Sequence, residues 1–171
     1  WRPNGVGLFS WGYNNYGQLG QNNTTHYSSP VQIPGTIWSF IASGLSQYSL
    51  ATKTDGTLWS WGLNVWGTLG QGNRTYYSSP VQIPGTTWNS ISGGDNSASF
   101  ATKTDGTLWS WGYNRFGGLG QGNLTNYSSP VQIPGTTWSS ISGVGQHSLA
   151  IKTDGTLWTW GLNVYGQLGQ G

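Results

Sequence analysis

Few side chains in this 171-residue sequence belong to the types that catalyse reactions or bind metals. Its acidic residues are four aspartates, it has two histidines, and it contains no cysteine. Asp55, Asp105 and Asp154 each precede a glycine, and an Asp-Gly pair is a strong signal for a hairpin turn. A general acid and a general base must both reach one reacting group, so we interpret these aspartates as turn formers. Asp95, the fourth, follows two glycines and is interpreted as a solvated loop residue.

The other candidates for chemistry are equally isolated. His26 and His147 lie in different contexts, whereas metal sites usually need clustered histidine, cysteine or carboxylate ligands. The sequence has no Gly-x-Ser-x-Gly elbow. Its glycine-rich stretch from Gly62 to Gly72 lacks the lysine and the following helix of a phosphate-binding loop. We therefore predict no enzyme, no metal and no cofactor.

The composition excludes further classes of protein. Charged residues make up 6% of the chain and the formal net charge is +2, which does not supply the basic surface that nucleic-acid binding needs. Glycine or proline interrupts every apolar stretch, so neither a membrane-spanning helix nor membrane insertion is expected. The absence of cysteine suits an extracellular or virion-surface setting. The sequence starts at Trp1, so we expect a processed or fragment end, from which a signal peptide would have been removed.

The sequence repeats itself with a period of about fifty residues. The segment Lys53–Gly62 recurs unchanged at Lys103–Gly112, and with one Ser→Thr change at Lys152–Gly161. At this period 171 residues hold about 3.4 units. We divide the single repeat domain, residues 1–171, approximately into units 1–48, 49–98 and 99–147 and a partial unit 148–171.

Each unit is predicted to hold four short antiparallel strands. In the second unit, Ser49–Thr54 and Thr57–Trp61 flank the Asp-Gly turn. Pro80–Ile83 lies between prolines, as suits an edge strand, and Trp88–Ser92 is the fourth strand. Four strands in a period of 40–50 residues are typical of a β-propeller blade, so the predicted fold class is all-β.

The segment His147–Gly169, with the sequence HSLAIKTDGTLWTWGLNVYGQLG, resembles the repeat of the RCC1 (regulator of chromosome condensation) family. The resemblance implies a β-propeller of four-stranded blades, usually seven of them. Two other units depart from the motif, with Tyr48 and Ala98 in place of its histidine. About 3.4 units would then make a partial propeller or an open array. The resemblance also implies guanine-nucleotide exchange or chromatin docking, but the repeat motif itself carries no residue of the family's exchange surface.

Tryptophan is predicted to form most of the core. One buried aromatic side chain contributes at most about 4–6 kcal/mol. The tryptophans assigned to the core are Trp11, Trp38, Trp59, Trp61, Trp88, Trp109, Trp111, Trp138, Trp158 and Trp160. A blade cannot bury both faces of its sheet alone, so both ends of the array should expose apolar surface. Those ends would pair with other copies, continue into further repeats of a longer chain, or close into a ring.

Differences between the units concentrate in two loops, and these differences are candidates for binding a partner or ligand. Tyr, Trp and Arg are favoured anchors of interfaces, while neutral variation of exposed loops explains the same pattern. The residues assigned to partner or ligand loops are Asn15, Tyr16, His26, Trp66, Arg74, Tyr76, Arg115, Phe116 and Asn126. The sequons at Asn22, Asn23, Asn73 and Asn123 are sites for N-glycosylation or turn-forming asparagines.

Three functions are compatible with these observations. The first is a non-enzymatic structural or interaction module: a rigid propeller array, outside a cell or on a virion, that associates with itself or forms fibrils. The alternative is a lectin-like propeller that binds glycans on aromatic shelves. The second alternative, exchange of guanine nucleotides or chromatin docking, follows only from the family resemblance.

Overall fold

The computed structural model describes residues 7–44, 47–93, 97–143 and 146–170, so Asp95 lies outside the described residues. Within these ranges the regular structure consists of thirteen strands. They are β1 (Phe9–Gly12), β2 (Tyr27–Gln32), β3 (Trp38–Gly44), β4 (Tyr48–Lys53), β5 (Leu58–Gly62), β6 (Tyr77–Ile83), β7 (Trp88–Gly93), β8 (Ala98–Lys103), β9 (Leu108–Gly112), β10 (Tyr127–Ile133), β11 (Trp138–Gly143), β12 (His147–Lys152) and β13 (Leu157–Gly161). The described part of the chain contains no helix long and apolar enough to cross a membrane.

The strands form four antiparallel sheets, which confirms the predicted all-β class. Two sheets have four strands in the orders β3-β4-β5-β6 and β7-β8-β9-β10. A two-stranded sheet, β1-β2, precedes them in sequence, and a three-stranded sheet, β11-β12-β13, follows them. The first strands β3, β7 and β11 contact one another in series, so the sheets stack side by side like successive propeller blades. The predicted edge strand is confirmed, because β6 lies at the edge of its sheet.

The sheets do not begin where the sequence units were divided. The predicted strand at Trp88 forms, but it pairs with β8 through Trp88↔Lys103 and opens the next sheet. Gly85 and Thr87 have φ values of 100° and 68°, and these left-handed residues turn the chain away from β6. A periodic sequence has no marked origin, so the period alone could not establish which strand starts a blade.

A repeated cluster of two tryptophans and a lysine lies at the start of each of the last three sheets. The rings of Trp38 and Trp59 meet at 78° with centroids 6.2 Å apart, and Lys53 Nζ lies 4.8 and 4.2 Å from the two centroids. Equivalent clusters form around Lys103 and Lys152. A cation over aromatic faces is stabilising, so these lysines belong to the scaffold.

Of the ten tryptophans predicted in the core, five are buried, three are half-buried and two are exposed. Trp61 and Trp111 are 2% and 0% exposed, and Trp38, Trp88 and Trp138 are also buried, whereas Trp59, Trp109 and Trp160 are half-buried. Trp11 and Trp158 were expected in the core, but they are 58% and 49% exposed. They lie on β1 and β13, in the two incomplete sheets, where no described strand or loop covers them.

Candidate functional site: the blade junctions and the loop face

One buried asparagine organises the long loop that joins the third and fourth strands of each full sheet. Asn64 is fully buried; its Nδ2 donates to the carbonyls of Asn73 (3.1 Å) and Thr75 (2.9 Å). Its Oδ1 accepts the N–H of Leu69 at 2.9 Å. Asn14 makes the same three bonds in its own loop, and Asn114 makes the equivalent bonds to the carbonyl of Asn123 and the N–H of Leu119. Sequence reasoning did not single out these residues, although asparagine follows every Trp-Gly-x of the repeat.

The same loops form the junctions between neighbouring sheets. The backbone carbonyl of Thr68 accepts hydrogen bonds from Trp111 Nε1 (2.7 Å) and from the Ser99 hydroxyl (2.9 Å), both in the next sheet. The carbonyls of Gln18 and Gly118 accept equivalent pairs of bonds. A single carbonyl of each loop therefore binds two donors of the next sheet.

Two glycines of the loop let the neighbouring sheet approach closely. A Cβ on Gly67 would lie 2.5 Å from the Cα of Ser128, and a Cβ on Gly70 would lie 2.9 Å from Trp111 Nε1. Both distances are shorter than atoms tolerate, and both residues have positive φ, 80° and 68°. These positions require glycine because of the contact as well as the backbone conformation.

The last loop, residues 162–170, repeats this geometry without a neighbour. Gly166 and Gly169 have φ values of 76° and 65°, and Asn163 Oδ1 accepts the N–H of Leu168 at 3.0 Å. Among the described residues, nothing lies within 4 Å of a Cβ placed on either glycine. Loop 162–170 thus already has the conformation with which the inner loops bind the sheets that follow them.

The loop face also carries a run of aromatic rings, which we call the aromatic strip: Tyr13, Tyr16, His26, Trp66, Tyr76, Tyr113 and Phe116. Tyr16 meets Tyr76 with centroids 5.9 Å apart, and Trp66 meets Tyr113 at 4.8 Å. Each pair joins the loops of two neighbouring sheets. The structure thus brings together variable residues that are far apart in the sequence.

The remaining predicted loop residues lie around the aromatic strip. Asn15 donates its side-chain amide to the Tyr13 hydroxyl, and the Arg115 guanidinium lies 5.5 Å from the Phe116 ring centroid. Arg74 and Arg115 are exposed. The described aspartates lie in hairpin turns at the opposite end of the sheets from these loops. The loop face is therefore cationic and aromatic, a composition that is common in protein interfaces.

Two of the predicted partner residues have a scaffold role. His26 Nδ1 accepts the backbone N–H of Asn14 at 3.0 Å, and its ring stacks on Tyr13 at 5.0 Å. In the third loop, Asn126 Oδ1 accepts the N–H of Asn114 at 2.7 Å. Positions 26 and 126 are equivalent in the repeat. At each of them a side chain accepts the backbone N–H of the buried loop asparagine.

We expect His26→Ala to lower the free energy of unfolding by about 1 kcal/mol, because the Asn14 N–H loses its acceptor. His26→Asn should stay close to the wild type, since Asn126 already fills this role. Chemical denaturation of the two variants provides the measurement. Equal destabilisation by both substitutions would show that the ring, rather than the acceptor, is what matters.

The sequon asparagines are used inside their own turns. Asn73 Nδ2 donates to the Gln71 carbonyl (3.2 Å) and the Tyr77 hydroxyl (3.1 Å), while its Oδ1 accepts the Thr75 N–H at 2.8 Å. Asn23 and Asn123 make the same three bonds. A glycan replaces one of the two Nδ2 hydrogens, so it would remove one of these bonds. This geometry favours the turn-forming interpretation.

Asn22, the fourth sequon asparagine, is exposed and has a φ of 58°. It stands where the other loops have Gly72 and Gly122, whose φ values are 73° and 69°. Asparagine tolerates this left-handed conformation better than most residues, so Asn22 too fits a turn.

The hairpin aspartates are engaged as turn formers. Asp55 Oδ1 accepts the Thr57 hydroxyl at 2.7 Å and the Thr57 N–H at 3.0 Å. These two bonds stabilise the carboxylate and lower the pKa of Asp55, as the equivalent bonds do for Asp105 and Asp154. Across the described residues, no group of three His, Cys, Asp or Glu side chains could hold a metal ion.

The strand tryptophans do not offer the predicted sugar shelves. Trp61 and Trp111 are buried in the junctions, and Trp59 Nε1 donates to the Thr57 hydroxyl within its own hairpin at 2.9 Å. The fully exposed ring face that a sugar needs for stacking is absent at Trp61 and Trp111. Exposed aromatic rings of the full sheets are found in the aromatic strip and at Phe40 on β3.

Similarity to solved structures agrees with this architecture. Human WBSCR16 superposes with a TM-score of 0.81 at 26% identity, over 95% of this chain and 45% of that one. Prp20p of Saccharomyces cerevisiae gives a TM-score of 0.79 at 23% identity, over 99% and 44%. Yeast RCC1 (Prp20) bound to Kap60 gives 0.78 at 22% identity, over 96% and 42%. The chain thus spans less than half the length of these propeller proteins.

Sequence profiles match most of the chain as well. The regulator of chromosome condensation (RCC1) repeat matches residues 7–44, 55–100 and 105–151, and a second profile of the same repeat matches residues 138–167. No curated protein matches the sequence. The repeats, the four-stranded sheets and these profiles together show that the chain belongs to the RCC1-repeat family.

Proposed function

We propose that this chain is a non-enzymatic interaction module that associates with copies of itself through the two incomplete sheets at the ends of its array. Membership of the RCC1-repeat family supports a scaffold that binds proteins. Among the solved neighbours, yeast RCC1 is bound to Kap60, and Prp20p is described as binding Gsp1p and histones. The chain covers less than half of these proteins, so self-association is proposed from its own surface.

The observation that carries the proposal is the exposure of residues whose equivalents are buried. Leu157 on β13 is 61% exposed, whereas the equivalent Leu58 and Leu108 are fully buried. Trp11 on β1 is 58% exposed, whereas Trp61 is 2% exposed. Contiguous exposed apolar surface marks interaction sites in soluble proteins, and burying it in a neighbouring blade is favourable.

The groove between loop 113–126 and the last sheet, β11-β12-β13, is wider than its equivalent in the preceding sheet. It has a volume of about 540 Å³ and is lined by Trp138, Trp158 and Trp160 with the preceding loop. The equivalent groove one sheet earlier measures about 350 Å³, because Ser129 and Pro130 of the fourth strand β10 narrow it. The three-stranded last sheet has no such strand, so its groove is open to a partner.

Sedimentation velocity over a wide range of protein concentration tests the proposal. We expect the average mass to rise with concentration above the 18.4 kDa of one copy. A mass of one copy at every concentration would contradict self-association. Leu157→Asp, which puts a charge on the exposed end, should shift the distribution toward the monomer, whereas Val65→Asp, at an exposed position of an inner loop, should leave it unchanged.

Two further assignments extend the proposal. The family resemblance implies nucleotide exchange on a small GTPase, or chromatin docking, as an alternative function; here we expect no acceleration of nucleotide release from such a GTPase, because the repeat motif carries no residue of the family's exchange surface.

For the setting we propose the outside of a cell or a virion surface, where a chain without cysteine has no thiol to oxidise. Glycan binding has no support from the buried tryptophans.

A further inference from the structure

The first two inner junctions use the same three contacts between a loop and the sheet after it, and the third uses the two that involve tryptophan. One such junction lies between loop 63–76 and the sheet β7-β8-β9-β10. There the Thr68 carbonyl accepts a hydrogen bond from Trp111 Nε1, Gly70 packs against the Trp111 ring, and Gly67 packs against Ser128. The Gly72 N–H also donates to the Ser128 carbonyl at 2.7 Å. One tryptophan and one serine of the next sheet thus pack against the same loop.

The two ends of the chain each carry one half of this set. At the first sheet, Trp11 and Ser28 stand at the positions of Trp111 and Ser128, and both are exposed. At the other end, the loop holding Gly166, Gln167 and Gly169 stands at the position of residues 67–70. Among the described residues, nothing packs against these two glycines.

We infer that the first sheet of one copy docks on the last loop of a second copy, and that this contact repeats the inner junctions. Trp11 Nε1 donates to the carbonyl of Gln167, the Trp11 ring covers Gly169, and Ser28 packs against Gly166. The inference rests on the proposed self-association and names its contact surfaces. Because the two surfaces differ, the contact is head-to-tail, and it joins successive copies into a ring if the rotation closes and into a filament if it does not.

The last loop is prepared for this contact. The Gly166 N–H donates to the Asn163 carbonyl and the Gly169 N–H donates to the Gly166 carbonyl, at 3.3 and 3.0 Å. The occupied loop makes the same bonds at 3.3 and 3.0 Å through Gly67 and Gly70. A surface that already has its bound conformation loses little entropy on association.

The test uses one variant for each surface. Trp11→Ala removes the inserted side chain, and Gly169→Asn fills its place, since asparagine tolerates the positive φ. Each variant alone should lose association by at least about 30-fold, the effect of deleting an interface hot spot. Gly155→Asn is the matched control: Gly155 also has positive φ, 85°, and no neighbour within 4 Å, so association should persist.

Mixing the two variants gives the decisive result. Trp11→Ala retains an intact loop and Gly169→Asn retains Trp11, so the mixture should form a 1:1 complex of about 37 kDa, twice the 18.4 kDa of one copy, and nothing larger. A mixture that stays monomeric, or single variants that associate like the wild type, would overturn the head-to-tail contact while leaving self-association intact. Wild-type protein that never associates would instead overturn the proposed function. Thermal denaturation of both variants checks that they fold.

Discussion

Asn64→Ala should lower the free energy of unfolding by about 3–5 kcal/mol. The substitution removes the fully buried side chain that binds the buried N–H of Leu69 and the carbonyls of Asn73 and Thr75. Buried polar groups that lose a hydrogen bond keep their desolvation penalty. Chemical denaturation followed by tryptophan fluorescence measures the change.

The chain supplies its own control at Asn163. This residue occupies the same position of the repeat, but it is exposed and its side chain accepts the N–H of Leu168 at 3.0 Å. Water can replace that bond, so Asn163→Ala should cost about 1 kcal/mol or less. If both substitutions destabilise the protein equally, burial is not the reason that the repeat contains asparagine here.

Gly67→Ala should also have a large effect, about 2–5 kcal/mol. The new Cβ would lie 2.5 Å from the Cα of Ser128, and the neighbouring backbone would have to move, which adds an overpacking cost of about 1–3 kcal/mol. The positive φ of Gly67 adds a strain of about 1–2 kcal/mol for any residue with a Cβ. The free energy of unfolding of this variant is again the quantity to measure.

Gly166→Ala separates these two causes. Gly166 has nearly the same φ, 76° against 80°, but no described atom lies within 4 Å of a Cβ placed on it. Only the backbone strain should remain, so the loss should be about 1 kcal/mol. A loss as large as that of Gly67→Ala would mean that the close contact between sheets contributes nothing.

The hairpins and the fold class could be predicted from the sequence because their signals are local. The Asp-Gly pair fixes a turn between two alternating strands, and Asp55 indeed bonds to Thr57 within it. The period then implies stacked copies. The grouping of strands into sheets could not be predicted, because the interval between the end of β6 at Ile83 and the start of β7 at Trp88 equals the interval between the end of β7 at Gly93 and the start of β8 at Ala98.

The junctions were harder to predict, because they use backbone atoms and residues distant in sequence. Trp111 donates to a carbonyl 43 residues earlier, and no side chain at position 68 signals that bond. The variable loops lie on the surface, where connecting segments usually run. That Tyr16 meets Tyr76 across two sheets required the structure, as did the finding that His26 and Asn126 serve the scaffold.

The carbonyl that joins neighbouring sheets belongs to a position whose side chain differs in every inner copy: Gln18, Thr68 and Gly118. Because the peptide group makes this contact, the bond does not depend on the identity of the side chain, even though the Thr68 hydroxyl adds a bond of its own to the Ser97 carbonyl. Every unit can therefore follow every other unit. Unequal recombination between the near-identical repeats of the gene would insert or delete whole blades whose junctions still fit. This architecture therefore lets the number of blades change faster in evolution than the sequence of a blade.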